Sequence, residues 1–138
     1  MCKFCDIVAG DLPAHVVLDD AQTLAFLDAK PLFPGHTLLV PKQHLETLSD
    51  LAEAMLGPLF STAQRLARAV ETAVHADGSL VLINNRVSQS VPHLHVHVVP
   101  RRFRDGLRGF LWPRTPYADE ASAEAVAASI RSALHQVP

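Results

Sequence analysis

The 138-residue sequence predicts one α+β domain, an antiparallel sheet of about five strands packed with one long helix, with a further helix at the carboxyl end. Three observations carry this. Short runs of β-branched and aliphatic residues bounded by turn residues fill the first third and recur after residue 78, a helical apolar stripe separates the two groups, and the final stretch repeats helical spacing. At 49% hydrophobic content the chain can bury one real core, and it is too short for two.

The elements follow in order. "HVVLDD" and "TLAFLD" read as strands around an acidic turn, and "GHTLLVP" as a third strand, opened by Pro34-Gly35 and stopped at Pro41. They predict an antiparallel meander. Met55, Leu59, Ala63, Leu66, Val70 and Val74 recur at helical spacing opposite Gln64, Arg65, Arg68 and Glu71, predicting a helix over 52–75. Gly57-Pro58 predicts a kink or a late start, and Asp77-Gly78 its end. "SLVLINN" is a strand, and the histidine-rich strand "SVPHLHVHVVP" follows too soon for a crossover helix, so the two should pair antiparallel. A last helix over about 119–135 is expected to bury Val126, Ile130, Ala133 and Leu134.

Composition narrows the function classes. A net charge of −2 argues against duplex nucleic acid as a partner. No apolar run approaches the roughly 20 residues of a membrane span, and "MCKFCDIVAG" lacks the apolar stretch of a secretory signal, so a cytoplasmic protein with no membrane partner is expected. One segment departs from the general balance. Residues 101–114 hold five of the twelve basic residues against one acid, Asp105, which suits phosphate or carboxylate recognition.

The chemistry concentrates in "HLHVHVV". In a strand, alternate residues share a face, so His93, His95 and His97 project from one side while Leu94, Val96 and Val98 pack on the other. Three imidazoles cannot all be inert core residues, because each buried ring needs two partners. Two readings remain open: the triad chelates a catalytic metal, or one neutral imidazole is a nucleophile whose neighbours supply donors. Cys2, Cys5, His44 and His93 also make a Cys2His2 set suited to a closed, structural zinc, which leaves His95 and His97 free. A third reading is non-enzymatic: a binding module that keeps the pocket but turns over slowly.

These residues resemble the histidine triad (HIT) family of nucleotide hydrolases and transferases. "HLHVHVV" matches its alternating motif, "CKFCDIVAGDLPAHVVLDD" its opening, "FLDAKPLFPGHTLLVPKQH" its nucleoside-binding segment and "INN…SQSVPHLHVHVVPR" its phosphate loop and active strand. The resemblance covers residues 2–114 and leaves 115–138 as a helical extension of the single domain 1–138. It implies His95 as the nucleophile that forms a nucleotidyl-histidine, with His97 and His36 in the surrounding hydrogen-bond network. Asp28 would bind the ribose hydroxyls of a purine nucleotide, and Asn84, Gln89 and Ser90 the phosphates. Cys2, Cys5, His44 and His93 match the zinc ligands of zinc-bearing members. Trp112, in a Trp-Pro pair, would lie near the partner subunit's site in a homodimer. The leaving group divides the indications. Ser90 resembles the serine of phosphoramidate-cleaving members, whereas Arg101, Arg102, Arg104 and Arg108 lean slightly toward a polyphosphate.

Overall fold

In the computed structural model, which describes residues 1–107 and 114–138, turn chemistry sets the first strands. Asp20 accepts the backbone N–H groups of Gln22 and Thr23 at 2.9 and 2.7 Å and the Thr23 hydroxyl at 2.9 Å, holding the turn between β1 (Val16–Asp19) and β2 (Thr23–Leu27). These bonds, the one from Gln22 foremost, keep the Asp20 carboxyl below its ordinary range. β2 pairs antiparallel with β3 (Thr37–Pro41) from Thr23 opposite Pro41 to Leu27 opposite Thr37, so the expected meander forms.

The histidine strand enters this sheet by long-range pairing. β5 (Val96–Arg101) lies between β3 and β4 (Gly78–Ile83), giving the order β1-β2-β3-β5-β4 with every neighbour antiparallel. The regular strand starts at Val96, so His93 and His95 sit in the extended segment just before it. Leu38 faces His97 across the β3–β5 pair, and Val98 faces Thr37.

The two faces of the sheet bury different partners. Leu59, Ala63, Leu66 and Val70 of α2 (Glu53–Val74) pack with Ala25, Leu39, Leu94, Val96 and Val98, alternate residues of their strands. On the opposite face Phe4 and Ile7 of a short α1 (Lys3–Ala9) pack with Leu24, Phe26, Leu38 and Val40. This first helix was not expected from the sequence, being only seven residues long. The expected late start of α2 does not occur. The helix begins at Glu53 and runs through Pro58, whose missing N–H forfeits only one bond near the amino end. Its end lies at His75, at φ 54°, where Ala76 N–H returns to the Glu71 carbonyl at 2.9 Å; Gly78 already belongs to β4.

The described residues divide into two compact units, Met1–Asp105 and Gly106–Pro138. Within the second, α3 (Glu120–Leu134) is capped by Asp119, which accepts the Ser122 N–H at 2.7 Å. Its apolar stripe corrects the sequence expectation. Val126, Ile130 and Leu134 are 42%, 56% and 63% exposed, and Ala133 is also exposed, because helical spacing marks a face that favours cover without supplying any. No described helix is long and apolar enough to cross a membrane.

Candidate active site

Sheet register builds the site. Because Leu38 is opposite His97, His36, two residues earlier and on the same face, is a diagonal neighbour of His97. The loop between β2 and β3 is closed by Asp28 N–H donating to the His36 carbonyl at 2.9 Å, and it carries Asp28 to the same place. His36 Nε2 lies 2.9 Å from His97 Nδ1 and 3.7 Å from an Asp28 carboxylate oxygen; the other Asp28 oxygen accepts Lys30 N–H at 2.9 Å. The His95 and His97 rings are tilted against each other with centroids 4.8 Å apart.

Hydrogen bonds assign the protons. The Leu32 amide can only donate, and it approaches His36 Nδ1 at 3.1 Å, so the His36 proton is on Nε2 and is given to His97 Nδ1. His97 therefore carries its own proton on Nε2. His95 Nδ1 lies 2.7 Å from the His93 carbonyl, an acceptor, so this nitrogen donates, and in the neutral ring the lone pair is on Nε2. No buried side-chain nitrogen or oxygen among the described residues lacks a partner, so this unbonded nitrogen of a 3% exposed residue reaches solvent.

Burial keeps the His36–His97 pair neutral. It lowers the pKa of His36, against the opposing pull of Asp28, and lowers that of His97 to about 4, helped by the nearby His95 and His36. At neutral pH His97 is an uncharged donor.

The first histidine of the motif serves another centre. His93 Nδ1 is 3.4 and 3.6 Å from the sulfurs of Cys2 and Cys5, and His44 Nδ1 is 3.3 Å from Cys5 Sγ. Zinc–sulfur bonds of about 2.3 Å and zinc–nitrogen bonds of about 2.0–2.1 Å at a tetrahedral angle put nitrogen and sulfur about 3.5 Å apart, so the four side chains already fit a zinc-sized ion. His93 Nε2 donates to the Pro41 carbonyl at 2.8 Å, which leaves Nδ1 as the ligand atom. Asp28, His36 and His97 also cluster, their ligand atoms within 4.8 Å of one another. The Leu32 N–H occupies the His36 lone pair there, so a cation at Nε2 would have to displace a proton from a ring whose other nitrogen is already an acceptor. With His93 turned to the thiols, the triad does not converge on one point.

The structure thus brings together His36, His95, His97 and Asp28, and separately Cys2, Cys5, His44 and His93. Asn84, Gln89 and Ser90 lie on the β4–β5 loop. Asn84 donates to the Ser88 carbonyl at 3.3 Å, and Ser90 is exposed. Gln89 is engaged at both ends, donating to the Glu46 carbonyl at 2.6 Å and accepting Arg86 N–H at 2.8 Å. Trp112 and Arg108 lie outside the described residues. Two basic residues are committed internally: Arg101 pairs with both Asp105 oxygens at 2.5 and 3.0 Å, and Arg102 donates to the Val74 carbonyl. Sequence reasoning missed Phe4, whose ring meets His95 edge-on with centroids 5.1 Å apart and His93 at 5.9 Å. The apolar pair Phe4 and Ile7 beside the cysteines was the available signal.

Known proteins share this fold. A solved structure of a HIT family protein from Bacillus subtilis superposes with a TM-score of 0.85 at 32% identity, covering 95% of each chain. A zinc-bound histidine triad family protein from Mycobacterium smegmatis is 39% identical, with a TM-score of 0.73 and 96% of each chain covered. An adenosine 5'-monophosphoramidase of Schizosaccharomyces pombe is 34% identical over 121 residues, 86% of this chain and 88% of the relative. Residues 9–104 match the HIT domain, and the chain belongs to the HIT family.

Proposed function

We propose that the protein is a nucleotide hydrolase that cleaves at the α-phosphorus and releases a nucleoside monophosphate through a covalent nucleotidyl-histidine. The single observation that carries this reading is the hydrogen bond from His95 Nδ1 to the His93 carbonyl, which in the neutral ring leaves the lone pair on Nε2, the nitrogen turned to the site. His95 Nε2 forms the bond to phosphorus as the bond to the leaving group breaks with its electron pair, and the leaving group takes a proton from solvent. Water then attacks phosphorus and gives a proton to solvent as the phosphorus–nitrogen bond breaks, its electron pair returning to His95 Nε2.

His97 donates to the phosphoryl group, Asp28 receives the ribose hydroxyls of a purine nucleotide, and Asn84 and Ser90 contact the phosphate side. Gln89 holds the loop rather than the substrate, since both ends of its amide are used. Cys2, Cys5, His44 and His93 hold zinc, one per chain, which would cross-link the amino end to the sheet and stabilise the fold. Residues 1–138 act as one domain with 115–138 as an extension, in a cytoplasmic homodimer.

Two of the four arginines bear on the leaving group. Arg101 and Arg102 favour a polyphosphate only if they are available to it, and both hold internal partners. An amine leaving group, as in a nucleoside phosphoramidate, is therefore preferred over a dinucleoside polyphosphate, and the likeness to a monophosphoramidase supports the same class.

Intact-mass analysis of the protein mixed with adenosine phosphoramidate tests the reading. A nucleotidyl adduct on wild type is expected. His95→Ala should lose the adduct and several orders of magnitude in turnover while still binding nucleotide. Near-normal turnover of His95→Ala, or loss of turnover on chelation from a protein that stays folded, would instead support catalysis by a metal.

A further inference from the structure

The polarity of the His36–His97 pair is decided by a group outside the triad. A histidine pair joined by one hydrogen bond has two neutral arrangements. In one, His36 donates from Nε2 and His97 presents an Nε2–H to the site. In the other, His97 donates from Nδ1 and presents an Nε2 lone pair. The two differ in what a phosphoryl oxygen would meet: a donor in the first, a repelling lone pair in the second.

We propose that the backbone N–H of Leu32 selects the first arrangement, making Leu32 a positioning residue that acts through His36 to turn His97 into a neutral hydrogen-bond donor toward the substrate. The proposal rests on the reading of this site as the place where a phosphoryl group reacts.

Three contacts form the chain. Leu32 N–H donates to His36 Nδ1 at 3.1 Å, His36 Nε2–H donates to His97 Nδ1 at 2.9 Å, and His97 lies against His95 with ring centroids 4.8 Å apart. In the reverse arrangement His36 would carry its proton on Nδ1, and two N–H groups would face each other across 3.1 Å. His36 is 3% exposed, so water has little room to relieve that clash. The Leu32 amide is itself held by the loop around it: His36 N–H returns to the Phe33 carbonyl at 3.0 Å and Asp28 N–H to the His36 carbonyl at 2.9 Å. Asp28 reinforces the same choice, because its carboxylate oxygen 3.7 Å from His36 Nε2 favours a proton there. An uncharged donor needs no proton transfer and no reorganisation when charge develops on the phosphoryl oxygens. It is also insensitive to pH wherever the pair stays neutral.

Two experiments test this. The first uses wild type alone, labelled with 15N-histidine, with long-range proton–nitrogen correlation at neutral pH. His36 and His97 should each show a protonated Nε2 and an unprotonated Nδ1; a proton on Nδ1 of either ring would overturn the proposal. The second replaces Leu32 by its α-hydroxy acid, which turns the amide into an ester, removing the N–H while keeping the leucine side chain. His36 should then populate both forms, and the single-turnover rate of adduct formation should fall by about tenfold, the scale of one lost hydrogen bond. KM should change little, which a general loosening of the loop would not spare. An ester variant with wild-type ring signals and rate refutes the role of Leu32. If it fails to fold, the wild-type spectrum still decides. Retained turnover in His95→Ala marks failure of the covalent reading separately, since the ring signals do not depend on it.

Discussion

Substituting His97 by Gln should change how stability depends on pH, and the size follows from burial. The imidazole has an ordinary pKa of 6.5 and is held at about 4 in the folded protein, chiefly by burial, with His95 and His36 adding to the effect. The folded state thus resists protonation that the unfolded chain accepts. Stability from this residue is complete above pH 6.5, declines as pH falls from there, and is fully lost once pH has passed through about 4. At about 1.36 kcal/mol per pKa unit the full loss is about 3 kcal/mol, of which about 2 kcal/mol is gone by about pH 5. His97→Gln cannot titrate. Urea unfolding of both proteins at about pH 7.5 and about pH 5 should show the stability of wild type relative to the variant falling by about 2 kcal/mol on acidification. Other buried histidines acidify equally in both proteins, so they cancel to first order. A difference that stays constant across that interval would refute the argument, and with it the claim that His97 is neutral when the site works.

Cys5→Ser should lower metal content below that of wild type and reduce the melting temperature, because one of four ligand atoms spaced for a tetrahedral ion is replaced; undiminished zinc by metal analysis would remove Cys5 from the set. Gly35→Ala should destabilise by about 1–3 kcal/mol in denaturant unfolding, since Gly35 has φ +101° and an added Cβ would sit 3.0 Å from a Val74 methyl; a neutral outcome would mean that the loop relaxes freely. Arg102→Ala should leave the salt dependence of kcat/KM unchanged with diadenosine polyphosphate, as its guanidinium is turned to the Val74 carbonyl; a weaker dependence would return Arg102 to the substrate.

How much was legible in the sequence depended on distance along the chain. Strand alternation is local, so "HLHVHVV" by itself determined that three histidines share a side and that Leu94, Val96 and Val98 face the core. The same locality made the antiparallel strands, the α2 stripe and the last helix readable. Cys2-x-x-Cys5 was visible as a pair, residue chemistry offered His44 and His93 as its partners, and the resemblance implied the same set. What the tertiary structure decided is each feature that needs a second segment. His36 and His97 are 61 residues apart in sequence, and only the β3–β5 register makes them neighbours. His93 is drawn to the thiols because α1 packs on that face, a helix too short for periodicity to announce. The arginines looked available as a charge run, yet Arg101 and Arg102 found Asp105 and the Val74 carbonyl, since a guanidinium takes whatever acceptor folding brings within reach. The α3 stripe had the right spacing and lies exposed. Periodicity records which face a segment would bury, and only packing against another segment determines whether that face is buried.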